Sequence, residues 1–130
     1  MSGHQPYERQ ISLTRLVIRM DAEEWFERGR AAMESGDIEI AIEAFNQATA
    51  LNPSSFEAWW SLASACNLFG TEIEGTGDYS RANMYKVKAA YSYGRAIRAD
   101  PDNPDAAQAK VFADTIRRAQ QRKKEQGLFE

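Results

Sequence analysis

Residues able to do covalent or acid–base chemistry are few, and their settings argue against it. His4, the only histidine, lies in an N-terminal stretch (residues 1–10) read as disordered, whereas a general acid or base must be held beside its partner. Cys66 is the only cysteine, which rules out an internal disulfide and a multi-cysteine metal site. It falls on the apolar spacing Leu62, Cys66, Phe69, Ile73, so it is read as a small core residue rather than a nucleophile. The acidic residues are scattered as on solvated helix faces, and no glycine-rich phosphate loop follows a strand. The basic run Arg117, Arg118, Arg122, Lys123, Lys124 has no aromatic residues interleaved, and a solvated helix face accounts for it better than nucleic-acid or membrane contact. A net charge of -3 argues against a nucleic-acid partner, and with reactive groups so few, no cofactor, no metal and no enzymatic activity are expected. What remains is the chemistry of recognition, in which aromatic and arginine side chains carry most of the energy.

The elements that would position such side chains are helices. The length of 130 residues suits one domain. Pro6, Pro53, Pro101 and Pro104 all fall outside long periodic segments and mark boundaries. Asp21 with Glu24 opens a helix over 22–35, ended by Gly36-Asp37; a second runs 38–51 to Asn52-Pro53. Ser54 with Glu57 reads as a capping box for a third, a helix over 80–99 follows, and Asn103-Pro104 starts a last one. No segment keeps two-residue alternation, so an all-α fold is expected. No apolar run reaches the ~18 residues of a membrane span. Arg15 and Arg19 interrupt the segment 11–20, which is therefore not a signal peptide. A cytoplasmic location is the expectation.

An internal period organises these helices. Trp25 and Trp59 are 34 residues apart, and each is followed by glycine 11 residues on, Gly36 and Gly70. Ala41, Phe45, Ala48, Pro53 and then Ala89, Tyr93, Ala96, Pro101 keep offsets of 4, 3 and 5. This pattern resembles the tetratricopeptide repeat (TPR), a helix–turn–helix unit. The first copy matches at Trp25, Gly29, Gly36, Ala41, Phe45, Ala48 and Pro53 and departs at Arg28 and Ala32; the second has Ala63, Cys66 and Tyr93 in place of the usual Gly, Tyr and Phe. The resemblance implies a right-handed stack of two helical hairpins, here repeat 1 at 22–55 and repeat 2 at 56–103, closed by a capping helix at 104–124 with a tail at 125–130. The capping helix is expected to bury Ala109, Phe112, Ile116 and Ala119.

The second unit is 14 residues too long. Gly70 to Gly77 is seven residues, and so is Ala82 to Ala89. Seven residues are close to two helical turns, so a helix lengthened by them keeps its apolar face to within about 20°. A hairpin extended on both sides, with its turn at Gly75-Thr76-Gly77, is one reading; a loop over 71–77 is the other.

In this family the first helix of each hairpin lines a concave groove. The resemblance therefore implies a partner-binding groove of Glu23, Phe26, Arg30 and Met33 from the first hairpin, Trp60, Ser64 and Asn67 from the second, and Lys110 from the capping helix. Phe26 and Trp60 would act as aromatic anchors, and Arg30 and Asn67 as polar selectors. The Lys and Asn pattern of the chaperone-binding carboxylate clamp is absent: the matching positions hold Phe26, Arg30, Ser61, Asn103 and Ala107. The expected function is a non-enzymatic adaptor or scaffold for a protein or peptide partner. The alternative is a self-assembling homo-oligomer that uses the N-terminal segment or the elongated hairpin. Residues 11–20, with Leu13, Leu16, Val17 and Met20 at helical spacing, would form a short amphipathic helix that caps the first hairpin, fills the groove or pairs copies.

Overall fold

The computed structural model describes residues 20–130; the segments 1–10 and 11–19 lie outside the described residues. Five helices follow one another: α1 (Ala22–Glu34), α2 (Ile38–Leu51), α3 (Phe56–Glu74), α4 (Tyr79–Ala99) and α5 (Ala106–Glu125). No strand occurs among the described residues, and each helix packs chiefly on its sequence neighbours. The architecture is a stack of helical hairpins.

The starts and stops have local causes. Asp21 caps α1, its Oδ1 accepting from the Glu24 amide at 2.8 Å. At the other end Gly36 takes φ +81°, so the Asp37 amide can reach back to the Ala32 carbonyl at 2.9 Å. The third helix is capped by Ser55, whose Oγ accepts from the Ala58 amide. This displaces the expected Ser54 cap by one residue, because the Asn52 side chain takes the Ser54 amide into its own turn. Likewise α5 begins at Ala106 rather than at Pro104, because Asn103 Oδ1 accepts from the Asp105 amide and holds 101–105 as turns.

The core follows the repeat. Ala41, Ala48, Ala63, Ala89 and Ala96 are all essentially inaccessible, and Phe45 and Leu62 fill the space they leave. Gly29 lies against the Phe45 ring so closely that no Cβ would fit. Trp59 is buried, its Nε1–H donating to the Pro53 carbonyl at 2.9 Å, with the Arg95 guanidinium over its ring at 4.5 Å.

The extended hairpin is present. α3 continues unbroken through Gly70 to Glu74, and α4 starts at Tyr79 under an Asp78 cap. α3 has 19 residues against 13 in α1, and α4 has 21 against 14 in α2. The turn lies at 75–77, where Gly77 takes φ +88° and the Thr76 hydroxyl donates to the Ile73 carbonyl at 2.7 Å.

Candidate partner-binding groove

Side chains tie α3 to α5, where Trp60 meets Phe112 and Glu74 pairs with Lys123, and α1 and α3 share a cleft. That cleft, of ≈ 320 Å³, is lined by Arg30, Met33, Glu34, Phe45, Trp60, Ser61 and Ser64. A second, of ≈ 250 Å³, lies toward the start of α1 and includes Glu23, Phe26, Glu27, Arg30 and Glu57. Arg30 belongs to both. Trp60 is half-buried at the centre of an aromatic group: Phe56 at 5.8 Å, Tyr93 at 5.3 Å and Phe112 at 5.6 Å between ring centroids. The Tyr93 hydroxyl meets Ser64 Oγ at 3.1 Å. Phe26 is also half-buried, tilted on Phe45 at 5.6 Å.

Arg30, Met33, Trp60 and Ser64 are thus brought together, with Glu23 and Phe26 in the adjoining cleft. Among the described residues Arg30 pairs with exposed Glu27 at 3.2 Å, a pairing of low energy that a ligand carboxylate can displace. Lys110 and Asn67 lie elsewhere. Lys110 is exposed and paired with Asp114 at 2.8 Å, and its ammonium holds the Asp114 carboxyl below the usual carboxylate range. Asn67 accepts from Lys86 instead of standing free in the groove. Phe112 joins the groove group although it is expected in the core. The buried stripe of α5 is Ala109, Ala113, Ile116 and Gln120, rotated by one residue from the expected one, so Phe112 turns toward Trp60 and Ala119 toward the margin.

Residues 26–71 match the tetratricopeptide repeat family. That match and the stack of five helices packed in adjacent pairs support a tetratricopeptide-type helical repeat. An uncharacterized protein of Methanocaldococcus jannaschii is 39% identical over 49 residues, which is 38% of this chain and 57% of that protein's length. No solved structure matches the chain. Tetratricopeptide repeats serve protein–protein interaction in general. The family match ends at Thr71, where the lengthening of the second tetratricopeptide hairpin begins.

That added length contains a polar group untypical of a repeat core. Lys86 is buried, and its Nζ donates to Asn67 Oδ1 at 2.8 Å and Thr71 Oγ1 at 2.6 Å, with Glu74 at 3.7 Å. Glu74 also pairs with Lys123 of α5. Beside them Gln120 Nε2 donates to Asn83 Oδ1 at 3.0 Å. The group joins α3, α4 and α5, and burial pulls the Lys86 ammonium below the ordinary lysine range, partly opposed by Glu74. Cys66 is fully enclosed, and burial pushes its thiol up to about 11, so it is a packed core residue with little thiolate. Among the described residues no acidic or histidine cluster could hold a metal, and no helix is long and apolar enough to cross a membrane.

Proposed function

We propose that the protein is a non-enzymatic adaptor that binds a peptide or helix of a partner protein across the α1–α3–α5 face. The observation that carries this reading is that half-buried Trp60, in contact with the more exposed Phe112, shares a cleft between α1 and α3 with Arg30, a surface cation whose partner is the exposed Glu27. Aromatic anchors in a preformed cleft bind at low ordering cost. Met33 supplies an adaptable apolar wall, Ser64 and Ser61 small polar contacts, and Glu23 and Phe26 extend the path along α1. A ligand with an apolar side chain followed by a carboxylate fits this order. A cytoplasmic location accords with it.

The test is selection of binders from a random-peptide library on the full chain, followed by calorimetric titration against Arg30→Glu. Arg30 is exposed, so the variant keeps its helicity and thermal midpoint. Selected peptides should carry an acidic residue next to a large apolar one and lose at least tenfold in affinity. Peptides that bind the variant as well as they bind the parent would place recognition elsewhere.

A further inference from the structure

Charge is divided along the chain. Residues 21–78, which form α1 to α3, contain twelve acidic and two basic residues. Residues 79–124, which form α4 and nearly all of α5, contain eleven basic and four acidic ones, and α4 has no acidic residue. Such a division gives the stack an acidic end and a basic end.

The basic end holds a cleft of ≈ 440 Å³ between α4 and α5, away from the groove. Val87, Tyr91, Ile116 and the tail's Phe129 are among its apolar lining, Lys86, Arg117 and Lys124 line it as cations, and among the described residues Glu130 is its one acidic residue. Val87 and Tyr91 are 56% and 52% exposed. Its place in the stack is informative. α1, α3 and α5 form one layer, while α2 and α4 meet in the other, where Arg81 reaches Glu39 at 3.9 Å. The next position in that second layer, beside α4 and against α5, holds no helix among the described residues.

A complementary surface exists on the same chain. α2 has no cation. Its exposed side presents Ile40 (48% exposed) and Leu51 (55%) with exposed Glu43; Glu39, also exposed, leans to Arg81 of α4 in its own chain. A helix edge with apolar residues and carboxylates suits an apolar cleft lined by cations.

We propose that the α4–α5 cleft receives the exposed edge of α2 from a second copy of this chain, so that copies join end to end. The two surfaces differ, so the contact is heterologous and leaves one free cleft and one free α2 edge on every dimer. Growth beyond a dimer follows. The groove takes no part, so the inference is independent of the adaptor reading.

Sedimentation velocity of the full chain tests it. Average mass should rise with protein concentration into the millimolar range at about 0.01 M salt. It should fall back toward monomer at about 1 M, as the screening length drops from ~30 Å to ~3 Å. The exposed reversals Arg117→Glu/Lys124→Glu and Glu43→Lys should each abolish association while circular dichroism stays unchanged. The chain carrying both reversals should associate again, because opposite signs then face each other once more. Arg30→Glu in the groove should leave association intact. A monomer at all concentrations in low salt overturns the proposal and leaves the cleft to an acidic helix of another protein. Association that survives both single reversals overturns it in favour of a different surface.

Discussion

Replacing Gly29 by alanine tests the closeness of the first hairpin. Two effects oppose each other. Alanine favours a helix over glycine by about 1 kcal/mol. Against that, a Cβ at position 29 would stand 2.4 Å from Phe45 Cε1, 2.6 Å from Cδ1 and 2.9 Å from Cζ, whereas carbon atoms pack best at about 3.5–4.0 Å. Relief requires a shift of roughly 1 Å by a ring that is 1% exposed, or by a whole helix. Overpacking of a closed core costs about 1–3 kcal/mol, and a clash with three ring atoms at once belongs at the upper end. The net expectation is a loss of about 2 kcal/mol, or roughly 10 °C in the thermal midpoint. Gly94 of α4 is the control: the nearest atom to its added Cβ is Arg117 Nη2 at 3.9 Å, so Gly94→Ala should stabilise by about 1 kcal/mol. Thermal and urea melts followed by circular dichroism read both. A rise in midpoint for Gly29→Ala equal to that for Gly94→Ala would refute the reasoning, because it would mean that α1 and α2 do not approach as closely as Gly29 and Phe45 require.

The buried polar group is probed from both sides in urea melts. Glu74→Ala leaves Lys86 and Lys123 without their shared carboxylate and should cost about 3 kcal/mol, while Lys86→Met keeps the Glu74–Lys123 pair and should stay within about 1 kcal/mol of the parent. The pH dependence of the same pair of proteins has a definite sign. Burial lowers the Lys86 value in the folded state, so the unfolded chain holds that proton to higher pH; the parent should therefore gain stability relative to Lys86→Met as pH climbs toward the ordinary lysine value of 10.5. No difference in that trend between the two proteins would remove Lys86 as its source. Ser92 Oγ is buried without a hydrogen-bond partner among the described residues, so Ser92→Ala should raise the urea midpoint, by about 1 kcal/mol in stability. A thiol reagent at mildly alkaline pH should modify Cys66 slowly in the native protein and rapidly in urea, because the thiol is enclosed and raised to about 11.

The two hairpins were legible in the sequence because their signals repeat. Trp25 and Trp59, the paired alanines and the matched spacings from Gly70 to Gly77 and from Ala82 to Ala89 each constrain the others, so chance agreement at one position matters little. The details missed rest on single positions. Ser54 and Ser55 are both able to cap a helix, and the choice between them is made by the Asn52 side chain. The α5 stripe admits Phe112 or Ala113 as its buried member; packing against α4 selects the small residue and releases the aromatic ring to Trp60. Lys86 lies on the continued apolar stripe, where hydropathy alone argues against a charge. The signal that would have found its partners is Asn67, Thr71 and Glu74 on the facing helix at spacings of four and three. The positions of Arg30, Met33, Trp60 and Ser64 follow from repeat geometry, but the engagement of Asn67 and Lys110 follows from neighbours that a repeat pattern does not encode.

Lengthening the second hairpin also explains the length of α5. A helix of 20 residues spans about 30 Å, matching the 21 residues of α4, whereas α1 spans only about 20 Å. The last turns of α5 carry Gln120 and Lys123, which bond to Asn83 of α4 and Glu74 of α3, and both partners lie in the part added to the second repeat. Without that part these turns would have nothing to pack on. The same segment supplies Asn83 and, next to it, Lys86 and Val87 to the α4–α5 cleft. Excising 71–77 together with 82–88, which restores the 34-residue period, should therefore leave the α1–α3 cleft able to bind its peptides while the end of α5 frays and end-to-end association is lost. Hydrogen exchange at 120–125 beside peptide titration reads the two effects separately. Retained protection at the end of α5 would show that its order does not depend on the extension.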